Sequence, residues 1–108
     1  MSTSTIPPVV QRALDAANAG HIDEFLDCFA PDGAVDDWGR TFRGRSAIRT
    51  WSDAEFIGVQ VSLRPTAATT KDDAVTISAM VGGNGFNGPS HFDFTVSDAL
   101  ISLMRITG

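Results

Sequence analysis

Hydrophobic positions recur every three to four residues in the first half of the chain and every second residue in the second half. This change of period predicts helices first and strands afterwards. Val9, Val10, Ala13, Leu14 and Ala17 follow helical spacing behind Pro7-Pro8, a pair suited to a first helical turn, and Gly20 stands where a C-terminal cap belongs. Ile22, Phe25, Leu26 and Phe29 fall at i, i+3, i+4 and i+7 of a second helix. Asp23, Glu24 and Asp27 take its wet side, and the first two favour the helix dipole. Pro31-Asp32-Gly33 supplies turn chemistry to end it. Ala34 to Trp38 predicts a short strand broken at Gly39, and Gly44 opens a third helix with Ala47, Ile48 and Trp51 on one face.

From there the pattern alternates with period two, as half-buried strands require. Val59, Val61 and Leu63 mark one strand. Val75, Ile77, Ala79 and Val81 mark the next, beyond a turn at Lys71-Asp72-Asp73. Phe92, Phe94 and Val96 mark a third, and Leu100 to Ile106 a fourth, joined through Ser97-Asp98. Residues 82–89 form a glycine-rich loop. Helices followed by a meander predict an α+β fold, and the apolar helix stripes are expected to cover one sheet face. A twisted sheet wrapped around a helix leaves a hollow at its open end, a natural ligand site.

Composition narrows the classes. At 108 residues, with 43% apolar and 19% charged positions, residues 1–108 are expected to form a single globular domain. A net charge of −5 argues against a nucleic-acid backbone as partner, because phosphate binding needs clustered cations. Cys28 is the only cysteine, so no internal disulfide forms, which fits a reducing compartment. Met1 to Thr5 shows no basic start or apolar run of a signal peptide, and no stretch reaches the ~20 apolar residues of a membrane span. A cytoplasmic location is expected.

The stretch from Ala19-Gly20-His21-Ile22-Asp23 to Phe29-Ala30-Pro31-Asp32-Gly33-Ala34-Val35-Asp36-Asp37 resembles the NTF2-like superfamily, in particular its SnoaL-like branch of polyketide cyclase and ketosteroid isomerase relatives. The following Gly39-Arg40-Thr41-Phe42-Arg43-Gly44-Arg45-Ser46-Ala47-Ile48-Arg49-Thr50-Trp51 matches a second motif of that branch. The resemblance implies a cone-shaped half-barrel with a deep pocket, often paired as a homodimer through the outer sheet face. Met80, Leu100 and Ser102 or Met104 would supply a mixed surface there. The superfamily hosts enzymes and pure binding domains alike, so the fold does not dictate an activity.

Asp37 is the candidate base. It shares strand phase with Val35, and the resemblance gives a carboxylate at this position a proton-shuttling role beside a carbonyl. Such a group works against an apolar wall. A plainer reading puts Asp37 at the pocket mouth, solvated or paired with an arginine from residues 40–49. The other isomerase groups are missing: the chain has no tyrosine, Ala13 and Phe92 occupy the matching positions, and Asp93 faces the opposite side unless a bulge intervenes. The Phe92 departure also weighs against an aldol cyclase of the SnoaL type.

Ligand contacts are expected from Leu14 on the first helix, from Phe29, Val35 and Trp38 around the first strand, and from Trp51, Phe56 and Val61 beyond it. Ile77, Phe92, Phe94 and Met104 would complete the lining from the late strands. Arg40, Arg43, Arg45 and Arg49 read either as an anion clamp at the rim or as solvated charges balancing the acidic second helix. His21, His91 and Cys28 lack metal-ligand spacing, so neither a metal nor a cofactor is expected. Three readings remain open. One is a protein that binds a small apolar molecule. Another is a proton-transfer enzyme, an isomerase or cyclase of a carbonyl compound. The last is an interaction module whose hollow falls below roughly 300 Å³.

Overall fold

The computed structural model describes residues 6–108; the reading of Met1 to Thr5 as free of a signal peptide lies outside the described residues. Helix α1 (Pro8–Ala19) ends in a Schellman motif. Gly20 adopts φ 76°, its N–H donates to Ala17 O at 3.3 Å, and His21 N–H donates to Ala16 O at 2.9 Å. Helix α2 (Ile22–Asp27) is a turn and a half long and stops at Cys28. Phe29, expected as its last apolar position, instead opens strand β1 (Phe29–Asp37) and meets Phe25 edge-on at 5.2 Å.

Pro31-Asp32-Gly33 lies inside β1, not between two elements. The pairing jumps from Phe29↔Ile101 to Ala34↔Leu103, so β1 carries extra residues that bulge away from its partner. Proline has no N–H to lose in such a bulge. Gly33 allows close approach, since a Cβ there would come within 2.8 Å of Ile101 O.

Strand β2 (Arg40–Arg43) was hidden in the sequence, where Gly39 read as a break. Trp38 (φ 52°) and Gly39 (φ 90°) form a two-residue hairpin turn, and Gly39 N–H donates to Asp36 Oδ1 at 2.8 Å. Helix α3 (Arg45–Glu55) follows, then a 3-10 turn over Ile57–Val59. Val59 therefore sits in that turn, and β3 runs later than expected, over Ser62–Lys71. Strands β4 (Ala74–Gly82), β5 (Gly88–Ser97) and β6 (Leu100–Thr107) complete the meander.

The six strands form one curled sheet in the order β2-β1-β6-β5-β4-β3, with β1 and β6 parallel and every other neighbour antiparallel. The helices lie in the hollow of the sheet, and α1 packs on β3 and β6. Asn18 fixes α1 to the start of β3 from both sides: its Nδ2 donates to Leu63 O at 3.0 Å and its Oδ1 accepts Leu63 N–H at 2.6 Å. Arg45 donates to Phe29 O and ties α3 to the β1 bulge.

Register sorts the inner face into transverse rows. Val35, Met104, Phe94 and Val75 are consecutive partners in one row and are all buried. Asp37, Ile106, Phe92 and Ile77 form the next row, nearer the β1–β2 turn. Met104 thus points inward and cannot serve the outer face, where it was one of the residues expected for a dimer contact. That face is mostly polar: Thr76 donates to Asp93 Oδ1 at 2.7 Å, Ser78 Oγ bonds His91 Nδ1 at 3.0 Å, and Arg105 lies 3.5 Å from Asp36.

Candidate functional site

A cavity of about 490 Å³ opens at the end of the cone where the β1–β2 turn meets the β4–β5 loop. This exceeds the roughly 300 Å³ lower range of ligand pockets, so the collapsed-hollow reading loses its premise. One wall is a file of aromatic rings. Trp51 stacks on Phe56 at 4.8 Å, Phe56 approaches Phe92 at 6.5 Å, and Phe42 backs Trp51 at 6.1 Å. Val61, Val81 and Ile106 add aliphatic surface, while Trp38 and Phe86, 62% and 55% exposed, stand at the rim. Trp38 lies against Gly108.

Asp37 lines the mouth with its side chain 15% exposed. Two donors converge on Oδ2: Trp51 Nε1–H at 3.1 Å and an Arg40 Nη at 2.7 Å. No described residue donates to Oδ1. Arg40 also grips Glu55 with both terminal nitrogens, at 2.7 and 3.0 Å, and lies over the Phe42 ring at 5.5 Å. The Glu55 hydrogen bonds are the main reason its guanidinium is held even more firmly protonated than usual. The same bonds draw the Glu55 carboxyl below the ordinary carboxylate range, against the opposing pull of partial burial. Trp51 Nε1–H is thereby committed to Asp37 and is not free to stabilise a developing oxyanion.

Of the twelve positions expected at the site, Asp37, Trp38, Trp51, Phe56, Val61 and Phe92 line the cavity. Leu14, Phe29, Val35, Ile77, Phe94 and Met104 do not reach it; each is buried in the core. For Val35, Phe94 and Met104 the reason is depth, since their row lies behind the Asp37 row and is packed solid. Alternation gives the side of a residue, not its distance from the open end.

Ser90 is a lining residue that sequence reasoning passed over. It shares the phase of Phe92 and Phe94, and that was the available signal. It is 3% exposed, and no described residue hydrogen-bonds its hydroxyl. Arg40 and Glu55 also line the mouth. The other arginines are engaged elsewhere: Arg43 donates to Asp32 O at 3.1 Å, and Arg49 pairs with Asp23 at 2.7 Å, bridging α3 to the acidic α2.

Cys28 is fully buried, its Sγ–H donating to Glu24 O at 3.3 Å, and burial raises its thiol above the usual range. It is a packing group, not a thiolate nucleophile. Among the described residues no His, Cys, Asp and Glu side chains converge as a metal site. Nor is any described helix long and apolar enough to cross a membrane.

The model of the SnoaL-like domain family matches residues 10–105. Among solved structures, a candidate polyketide cyclase from Sinorhizobium meliloti is similar at 28% identity and a TM-score of 0.87, with 94% of this chain and 95% of that one covered. A protein of ketosteroid isomerase-like fold from Catenulispora acidiphila, in complex with trimethylamine, is 26% identical. It has a TM-score of 0.82, with 96% and 87% covered. An NTF2-like protein of unknown function from Cytophaga hutchinsonii shares the fold at 9% identity and a TM-score of 0.82, with 99% and 93% covered. No curated protein matches the chain.

Proposed function

The chain belongs to the SnoaL-like domain family, and from that premise we propose that it binds one small, largely apolar molecule in the mouth of its cone. The observation that carries this reading is the open cavity of about 490 Å³, walled by Trp51, Phe56, Phe92, Val61 and Ile106. Aromatic faces and branched aliphatics gain from an apolar guest, and the few polar groups orient it. The C. acidiphila relative, with trimethylamine bound, is a precedent for a small organic guest on this fold.

A second reading is favoured by the free Oδ1 of Asp37. With Oδ2 anchored by Trp51 and Arg40, Oδ1 is the acceptor left for a guest. In a proton-transfer reaction it would take a proton from the carbon beside a guest carbonyl, giving a carboxylic acid and an enolate. It would then return the proton to a different carbon or to the same one.

2-Acetylnaphthalene tests both readings. Calorimetry is expected to show one molecule bound per chain, with a dissociation constant on the order of 10–100 µM for a guest of this size. Absence of saturable binding contradicts the first reading. In D2O, exchange of the acetyl methyl hydrogens is expected to accelerate with the wild-type protein and to fall to the uncatalysed rate with Asp37→Asn. Equal exchange by both proteins retires the second reading and leaves the first intact.

A further inference from the structure

Among the described residues that line the cavity, one polar side chain, that of Ser90, has no hydrogen-bond partner in the protein. Ser90 belongs to β5 and, at 3% exposure, has lost nearly all contact with bulk water. Its neighbours across the sheet and along the strand face are apolar: Ala79 in register on β4, and Phe92 two residues on. The backbone can satisfy a serine hydroxyl when a carbonyl lies within reach, as happens for the half-buried Ser102, which donates to Thr95 O at 3.2 Å. Ser90 has no such bond, and its side chain lines the hollow. No fully buried side-chain oxygen among the described residues lacks a partner, so the Ser90 hydroxyl, which has none, stays accessible from the hollow. A guest that displaces water from it costs free energy unless the guest brings an oxygen of its own.

We propose that Ser90 is a specificity-determining contact that donates its hydroxyl to an oxygen of the guest, selecting apolar molecules that carry a carbonyl or ether oxygen over plain hydrocarbons. The proposal rests on the cavity being a binding site, as argued above. Register locates the contact. Asp37 and Phe92 both pair with Ile106, and Ser90 lies two residues from Phe92 toward the open end. Two strand spacings and two residue rises separate the Asp37 and Ser90 backbones by about 12 Å, less where the sheet curls. Side chains reaching inward from both leave a span that a guest of two fused rings bridges. Its oxygen meets Ser90, with the carbon beside the carbonyl turned toward Asp37. With Trp51 Nε1–H held by Asp37, Ser90 is also the hydroxyl donor that the Asp37 side of the cavity lacks.

The test compares two probes of nearly equal shape, 2-acetylnaphthalene and 2-ethylnaphthalene, against wild type and Ser90→Ala. A hydrogen bond of ordinary net strength corresponds to a preference of roughly 3- to 10-fold. The wild type is expected to favour the ketone by that factor. Ser90→Ala is expected to erase the preference by weakening the ketone alone. Unchanged affinity for 2-ethylnaphthalene in the variant shows that its cavity is intact. If Ser90→Ala keeps the full ketone preference, the inference is overturned while the cavity reading stands. Should neither probe bind the wild type, both fall together.

Discussion

Asp37 reaches the cavity because strand phase gives it no alternative. Its parallel partner on β6 is Ile106, and both project from the inner side of the sheet. Its environment is set by Arg40, three residues along the hairpin, which also holds Glu55 at the end of α3. The Glu55 carboxyl is depressed in the folded chain, first by its hydrogen bonds to Arg40. A depressed carboxylate stabilises the fold above its unfolded value of 4.5, and that contribution is lost as pH falls through the folded value. Arg40→Met is therefore expected to lower the urea midpoint near neutrality, with the deficit shrinking below about pH 4.5. A deficit constant from pH 7 to pH 3 contradicts the assignment. The phase of Asp37 was legible from the sequence, and so was an arginine partner from residues 40–49. The second partner was not: Glu55 is 15 residues from Arg40, and nothing local links them.

Among the elements, the corner after α3 does most to shape the mouth. Phe56 precedes the 3-10 turn, Val59 ends it, and both line the cavity. Ser52, buried on α3, accepts Ile57 N–H at 3.3 Å and holds the corner closed. Gly58 is required there because a Cβ would run into the Asp53 backbone carbonyl. Gly58→Ala is expected to cost roughly 2–4 kcal/mol, read from urea unfolding, because the clash is with backbone that cannot swing aside. An unchanged midpoint refutes this packing. Helices α1 and α3, most of α2 and strands β4 to β6 were readable because their periodicity is local. The rest depended on tertiary pairing. Phe29 obeyed helical spacing yet joined a strand, because β6 offers Ile101 as a partner. Pro31-Asp32-Gly33 kept its turn character but spent it on a bulge. Strand β2 was masked because the turn before it puts Trp38, not asparagine or aspartate, at positive φ.

At the scale of the molecule, one sheet divides the labour: a greasy inner face under the helices and a polar outer face. We propose that two copies pair through the outer face, around Met80 and the Asp36–Arg105–Asp93 ladder. Sedimentation equilibrium is expected to give twice the 11.5 kDa chain mass, and Arg105→Glu, which sets three acids side by side, to return it to one. A wild-type protein of single-chain mass at micromolar concentration contradicts the pairing. On the other face, the proposed function is that the hollow at the open end of the cone receives a guest. Titration of 15N-labelled protein with 2-acetylnaphthalene, followed by amide and indole resonances, tests it most directly. Saturable shifts are expected at the Trp51 indole and the amides of Val61, Ser90 and Phe92, with Thr76 and Asp93 unmoved. Shifts confined to the outer face, or none at all, contradict it.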